Sequence, residues 1–155
     1  TGLRNVPTDT ALPTPTLTAF KTPLGINKAN TPTFSLHSFA ATVEKFEFDV
    51  ANTITYRNVV GDESVQLVDR QPTGSVSLEE QALATKNFHT IIAASTLGAL
   101  QVVHGTVAGS IIQIDAPAVQ LLSPSYSDSN GVLMLDLKLN LTPNVGDDEL
   151  VIVAK

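Results

Sequence analysis

Two short loops of the sequence gather carboxylate side chains, the groups in this chain most able to do chemistry. Gly146–Leu150 reads GDDEL and Gly61–Ser64 reads GDES. Clustered carboxylates can bind calcium or act as general acid and base, but loops that lead into strands also carry ordinary solvated charges. Neither loop is accompanied by a nucleophile in an elbow motif. The sequence therefore predicts a protein that is not an enzyme, with no catalytic residue, no metal site and no cofactor.

A partial calcium-loop pattern and three histidines are the other candidates for reactive groups. Tyr126–Gly131 reads YSDSNG, but Tyr126 and Leu137 occupy the first and twelfth positions, where a calcium loop needs carboxylates. A turn explains the segment better, because Ser, Asp, Asn and Gly favour turns. No two histidines have the i, i+4 spacing of a helical metal site, so we expect them to have structural or surface roles. They are His37, His89 and His104.

The composition predicts a globular chain with an aliphatic core. Its 155 residues are 43% apolar but only 5% aromatic, and this length allows one domain with a sizeable interior. No run of about 18 apolar residues occurs, so no membrane-spanning helix is predicted. The absence of cysteine excludes disulfides and thiolate metal sites.

Charge is distributed unevenly along the chain, whose formal net charge is −6. Residues 1–40 carry three basic side chains and one acidic side chain, which leaves the remainder at −8. An acidic body argues against a nucleic-acid reader, because affinity for the phosphate backbone comes mainly from Lys and Arg. It suits a surface that nucleic acid passes without binding. The candidates for such an acidic surface are Glu44, Glu47, Asp49, Asp136, Asp147, Asp148 and Glu149.

The first 36 residues show neither helical nor strand periodicity, and they hold five of the nine prolines. We predict that residues 1–36 form an extended Pro/Thr-rich arm that packs on another surface, and that residues 37–155 form a β domain. A disordered linker from a preceding domain is the alternative for the first segment. The predicted assembly contacts of the arm are Arg4, Lys21, Lys28, Phe20 and Phe34.

From Thr42 onward, apolar residues recur with a period of two, which is typical of half-buried β-strands. The clearest case is GVLMLDLKLNLTPN, in which leucine occupies every second position from Leu133 to Leu141. Side chains alternate across a strand, so we predict that these leucines share one face and that this face lies in the core. The other predicted strands cover residues 42–50, 52–57, 64–69, 73–78, 99–104, 110–115, 119–122 and 150–154.

One helix is predicted within Ser77–Gly98. Ser77 and Glu80 have the spacing of a capping box, in which each side chain satisfies a free backbone N–H of the other residue. Gly98 can end the helix with a left-handed cap. An apolar stripe at helical spacing is expected to face the sheet. It consists of Ala84, Phe88, Ile91, Ile92 and Ser95.

The order of these elements resembles the phage tail tube family over residues 30–155. The resemblance lies in whole segments rather than in one short motif. These segments are NTPTFSLHSFAATVEKFEFDVANTITYR, DRQPTGSVSLEE, the single helix, IIQIDAPAVQLLSPSYSDSNGVLMLDLKLNL and GDDELVIVAK.

This resemblance implies a mainly β fold, an antiparallel sandwich or barrel with one flanking helix. It also implies that the chain corresponds to the C-terminal domain of a larger, two-domain tail tube protein of a phage or prophage. Such a structural virion protein forms rings of six that stack into a tube, contacts other tail proteins and lets DNA pass without specific binding. Its location is the virion tail, assembled in the bacterial host cytoplasm without a membrane partner.

A carbohydrate-binding or adhesin-like β-sandwich displayed on the tail is the alternative function. Sugar-binding faces usually expose aromatic side chains, yet the chain has no tryptophan and only two tyrosines, Tyr56 and Tyr126. An enzyme is the third possibility, and it rests on the acidic loops alone.

Overall fold

The structure is a computed structural model that describes Thr14 and residues 21–155. The predicted arm contacts Arg4 and Phe20 lie outside these residues. Ten strands and one helix follow in chain order. They are β1 Thr33–Leu36, β2 Phe39–Ala40, β3 Val43–Asp49, β4 Asn52–Val59, β5 Asp62–Arg70, β6 Thr73–Glu79, α1 Phe88–Ala93, β7 Gly98–His104, β8 Ile112–Ser129, β9 Val132–Thr142 and β10 Val151–Ala154.

Eight of the strands form one antiparallel sheet in the order β2-β1-β7-β8-β9-β6-β3, with β10 pairing β8 beside the end of β9. Strands β2 and β3 stand at opposite ends of this order, yet only Ala41 and Thr42 separate them in the chain. The sheet must therefore curl until its ends meet. Phe34 of β1 and Phe46 of β3 confirm the curl, because their ring centroids lie 5.7 Å apart. The predicted mainly β, antiparallel fold with one flanking helix is confirmed.

The alternating leucines lie on β9 as predicted, with one exception. Leu135, Leu137, Leu139 and Leu141 are at most 3% exposed and belong to the main core cluster. Leu133 is 54% exposed, because it lies next to the turn that joins β8 to β9. The register inferred from sequence is therefore right, but the buried part of the leucine face begins at Leu135, two residues later than expected.

The predicted helix is wrong over its first half. Ser77 lies in β6, where it pairs with Lys45 of β3 and Asp136 of β9, so no capping box forms. The helix begins instead after Asn87, whose side chain accepts a 3.0 Å hydrogen bond from the backbone N–H of Thr90. Two ladders of strand hydrogen bonds outweigh one local capping pattern, which leaves a helix of six residues.

Phe88 anchors this short helix at 2% exposure, and its ring makes an edge contact with Phe39 at a centroid distance of 6.1 Å. Ile91 and Ile92 of the predicted stripe pack against the same core, whereas Ala84 and Ser95 lie outside the helix. Gly98 begins β7 and does not cap the helix. The helix is the only one in residues 21–155, and it is too short to cross a membrane.

Two boundaries also differ from the sequence expectation. The strands predicted at residues 110–115 and 119–122 are one strand, β8, which continues to Ser129 and pairs with β7, β9 and β10 in turn. The last four residues of the predicted arm form β1, and Leu36 is fully buried. The sheet thus includes part of the segment assigned to the arm.

Candidate assembly surfaces

A β-hairpin, Asn52–Arg70, forms a two-stranded sheet separate from the main one. It leaves the main sheet after Asp49 of β3 and returns to it at Thr73 of β6, and these two residues pair with each other. Glycine is needed at its tip, where Gly61 has a φ of +92°. We refer to Asn52–Arg70 as the hairpin.

One face of the hairpin is apolar and exposed. The cross-strand pair Ile54 and Leu67 is 59% and 56% exposed, and the next pair, Tyr56 and Val65, is 41% and 37% exposed. An isolated two-stranded hairpin is marginally stable in water, and a contiguous apolar patch usually marks an interaction site. The hairpin therefore carries an apolar face suited to docking on another surface.

The opposite face of the hairpin is polar except for Val59 near the tip. It carries the cross-strand pairs Thr55 with Gln66 and Arg57 with Ser64. The alternation that separates the two faces is visible in the sequence, where Ile54 and Tyr56 alternate with threonines. Sequence reasoning nevertheless missed the site, because alternation shows which residues share a face but not whether the protein itself covers that face.

Both tyrosines have their hydroxyl groups engaged within the chain. The hydroxyl of Tyr56 donates a 2.5 Å hydrogen bond to Glu63, and this bond to a carboxylate raises the pKa of Tyr56. The hydroxyl of Tyr126 lies 2.7 Å from Nε2 of His89. Tyr56 and Tyr126 lie on different sheets. This arrangement gives no support to a sugar-binding platform built from both.

The acidic loop before β10 holds the base of the hairpin. Arg70 contacts Asp147 at 3.0 Å and Glu149 at 2.6 Å, and the side chain of Glu149 is only 12% exposed. The carboxylate of Asp148 accepts hydrogen bonds from the backbone N–H groups of Asn144 and Val145, and the bond from Asn144 is the main cause of its lowered pKa. Two of these three predicted acidic residues thus bind the hairpin, and Asp148 stabilises the loop itself. Within residues 21–155, no three His, Cys, Asp or Glu side chains are placed to hold a metal ion.

The other predicted acidic residues lie on or beside the outer face of the sheet. Glu47 is paired with Lys45 at 2.9 Å, and Glu44 accepts a 2.8 Å hydrogen bond from Ser129. Hydrogen bonds from Ser127 and Ser77 lower the pKa of Asp136. We call the nine residues of three cross-strand rows the polar face. The rows are Lys45–Ser77–Asp136, Glu47–Ser75–Lys138 and Asp49–Thr73–Asn140.

Residues 21–32 of the predicted arm lie against the chain's own β7–β8 loop. The side chain of His104 lies 2.9 Å from Oγ1 of Thr31 and 3.2 Å from the carbonyl oxygen of Leu24. The carbonyl of Asn30 accepts a 2.6 Å hydrogen bond from the backbone N–H of Gly105. Lys21 and Lys28 are exposed on this segment. His104 thus has the structural role expected for it.

His37 is the buried histidine of the fold, at 7% exposure. It forms the β1–β2 turn with Ser38, and both have positive φ, which costs side-chain-bearing residues on the order of 1 kcal/mol each. Nε2 of His37 bonds the carbonyl oxygen of Val119 at 2.9 Å, and a Cβ on Gly98 would collide with its ring. Lys86 donates a 2.7 Å hydrogen bond to the carbonyl of His37. The ring therefore fixes a strained turn against β7 and β8.

Burial lowers the pKa of His37 below 6.5, and the nearby Lys86 charge acts in the same direction. Below about pH 6.5, His37 is protonated more fully in the unfolded chain than in the folded chain. The free energy of unfolding should therefore fall as the pH drops from 7.5 to 5.5. Urea titrations across this range should show that fall. In His37→Gln, which keeps a hydrogen-bond donor, the dependence should shrink, whereas an equal dependence in both proteins would contradict this assignment.

No protein-family model and no curated protein matches the chain. Solved structures that resemble it include two from one kind of particle. One is a chain of the virion of a native gene transfer agent (GTA) particle, with a TM-score of 0.51 and 16% sequence identity over 84% of this chain and 100% of that chain. The other is a chain of the tail of an empty GTA particle refined with C6 symmetry, with a TM-score of 0.49, 16% identity and the same coverage. The first similarity shows that the two chains share a fold.

Proposed function

We propose that this chain is a structural subunit of the tail of a phage or phage-like particle, and that its copies associate without catalysing a reaction. The observation that carries the proposal is the exposed apolar face of the hairpin, which forms a sheet separate from the main one. The fold it shares with a whole chain of the GTA virion particle supports the same conclusion. A hairpin whose exposed apolar face becomes covered only by another copy is well suited to a permanent assembly.

The more specific proposal is a tail tube. The subunits form rings of six, as the resemblance to tail tube proteins implies, and the rings stack around a conduit for DNA. The tube lies in the virion tail, is assembled in the bacterial host cytoplasm and contacts other tail proteins. The predicted arm, including Lys21 and Lys28, contributes contacts to a neighbouring subunit.

The polar face is the proposed lining of the conduit. It carries three carboxylates, on Glu47, Asp49 and Asp136, against the two ammonium groups of Lys45 and Lys138. Serine, threonine and asparagine fill the remaining positions. A slightly negative, hydroxyl-rich surface repels phosphates weakly, over about 8 Å at physiological salt, and offers no cationic cluster to which DNA could bind.

Sedimentation velocity and DNA binding test this function together. The sedimentation coefficient should increase as protein concentration is raised, and labelled duplex DNA should show no change in anisotropy at physiological salt. The variant Glu47→Lys/Asp49→Lys reverses two charges of the polar face and should gain DNA affinity that declines steeply with salt. A chain that stays monomeric throughout would contradict the assembly role. Tight DNA binding by the unmodified chain would contradict the passive conduit.

A further inference from the structure

The two ends of β8 carry opposite charges. The β7–β8 loop lies at the start of β8, and two lysines lie beside this loop. Lys155 exchanges backbone hydrogen bonds with Ile111. The side chain of Lys21 would be the nearest contact of a Cβ on Gly109. Lys28 belongs to the turn whose Asn30 carbonyl accepts the N–H of Gly105. This end is therefore cationic, and we define it by Lys21, Lys28 and Lys155.

The far end of β8 is acidic. Asp128 is the second-last residue of β8, and its carboxylate accepts a 3.2 Å hydrogen bond from the backbone N–H of Gly131. Glu44 accepts the hydroxyl hydrogen of Ser129 at 2.8 Å, and Glu79 pairs with Met134 of β9. We define the acidic end by Glu44, Glu79 and Asp128. Strand β8 is 18 residues long, so the two ends can lie up to about 60 Å apart.

Charges of the opposite sign near each end are engaged in contacts within the chain. Lys45 follows Glu44 in sequence, but its ammonium group is paired with Glu47 at 2.9 Å. Asp115 lies near the cationic end, and its carboxylate accepts a 2.8 Å hydrogen bond from the amide of Gln101. The amide leaves the charge of Asp115 in place, but among residues 21–155 the three ammonium groups of the cationic end still outnumber this one carboxylate.

Both ends also expose apolar side chains. At the cationic end Ile26 is 86% exposed and Val107 is 61% exposed, and at the acidic end Leu133 is 54% exposed. Apolar contacts supply most of the energy of association, whereas complementary charges select the partner and its orientation. When two different surfaces at opposite ends of one strand bind each other end to end, the contact is heterologous and repeats from copy to copy.

We propose that the cationic end of one copy docks on the acidic end of a second copy, so that subunits join head to tail along β8. This inference rests on the proposed self-association and specifies one of its contacts. A stacked tube needs contacts within a ring and contacts between rings, and the head-to-tail contact supplies the second kind. Lys21 and Lys28 of the predicted arm thereby meet Glu44, Glu79 and Asp128 of the neighbouring copy.

Charge-reversal variants test this contact. Lys21→Glu/Lys28→Glu makes both ends acidic, and Glu44→Lys/Asp128→Lys makes both ends cationic. Each variant alone should need at least about a tenfold higher concentration for half-maximal association, because attraction becomes repulsion at two pairs. An equimolar mixture should associate again, since each variant offers the other a complementary end at both contacts.

The control variant Arg57→Glu/Lys138→Glu changes the net charge as much as the first variant but alters the hairpin and the polar face instead of either end. It should associate like the unmodified chain, and far-ultraviolet circular dichroism should show that all variants are folded. If both reversal variants associate as readily as the unmodified chain, the head-to-tail contact is overturned but the proposed function is not. Failure of the mixture to recover would also overturn it. Unmodified chains that never associate would overturn the proposed function as well.

Discussion

Replacing Ile54 and Leu67 together by aspartate should give a folded chain that remains monomeric at concentrations where the unmodified chain assembles. These residues form the central pair of the hairpin's apolar face and are 59% and 56% exposed. Each apolar side chain that becomes buried contributes about 1.5–3 kcal/mol, so losing two weakens association by a factor on the order of 100 or more. Burying two unpaired carboxylates weakens it further. Sedimentation velocity measures the shift.

The matched control is Thr55→Asp/Gln66→Asp, which adds the same two charges to the adjacent pair on the opposite, polar face. This variant should assemble like the unmodified chain. If both variants assemble equally well, or if both fail, the apolar face of the hairpin is not the docking surface. Circular dichroism and thermal melting separate a loss of docking from a loss of folding.

Leu137→Ala should lower the free energy of unfolding by about 2–5 kcal/mol, because Leu137 is 2% exposed within the main core cluster and the substitution leaves a cavity. Leu133→Ala makes the identical chemical change four residues earlier on the same strand face. Leu133 is 54% exposed, so this variant should lie within about 0.5 kcal/mol of the unmodified chain. Urea unfolding of dilute protein checks both. Equal losses would show that the register of β9 is wrong.

The leucines of β9 show what sequence can predict in this fold. Strand periodicity depends only on which side chains share a face, so it located β9 and its buried side correctly. The helix shows where such reasoning fails. Ser77 and Glu80 have the local spacing of a capping box, but β6 pairs on both sides with β3 and β9, and those distant partners decide its conformation.

The candidate surfaces also combine features that the sequence predicts with features that only the fold shows. The alternation in β4 identified Ile54 and Tyr56 as one face, but only the sheet topology shows that the hairpin stands apart from the core. His37 meets Gly98 and Val119 through contacts between residues far apart in sequence, and no local pattern reports its burial. In the sequence, the carboxylates of residues 147–149 indicate an ordinary solvated cluster. In the fold, Arg70 from β5 binds two of them.

Electron microscopy of the purified chain, at concentrations where it associates, tests the central proposal most directly. A tail tube subunit should form rings or hollow tubes of uniform diameter, and the Ile54→Asp/Leu67→Asp variant should show only single small particles. Isolated globular particles of the unmodified chain, or irregular aggregates without a central channel, would contradict the proposal.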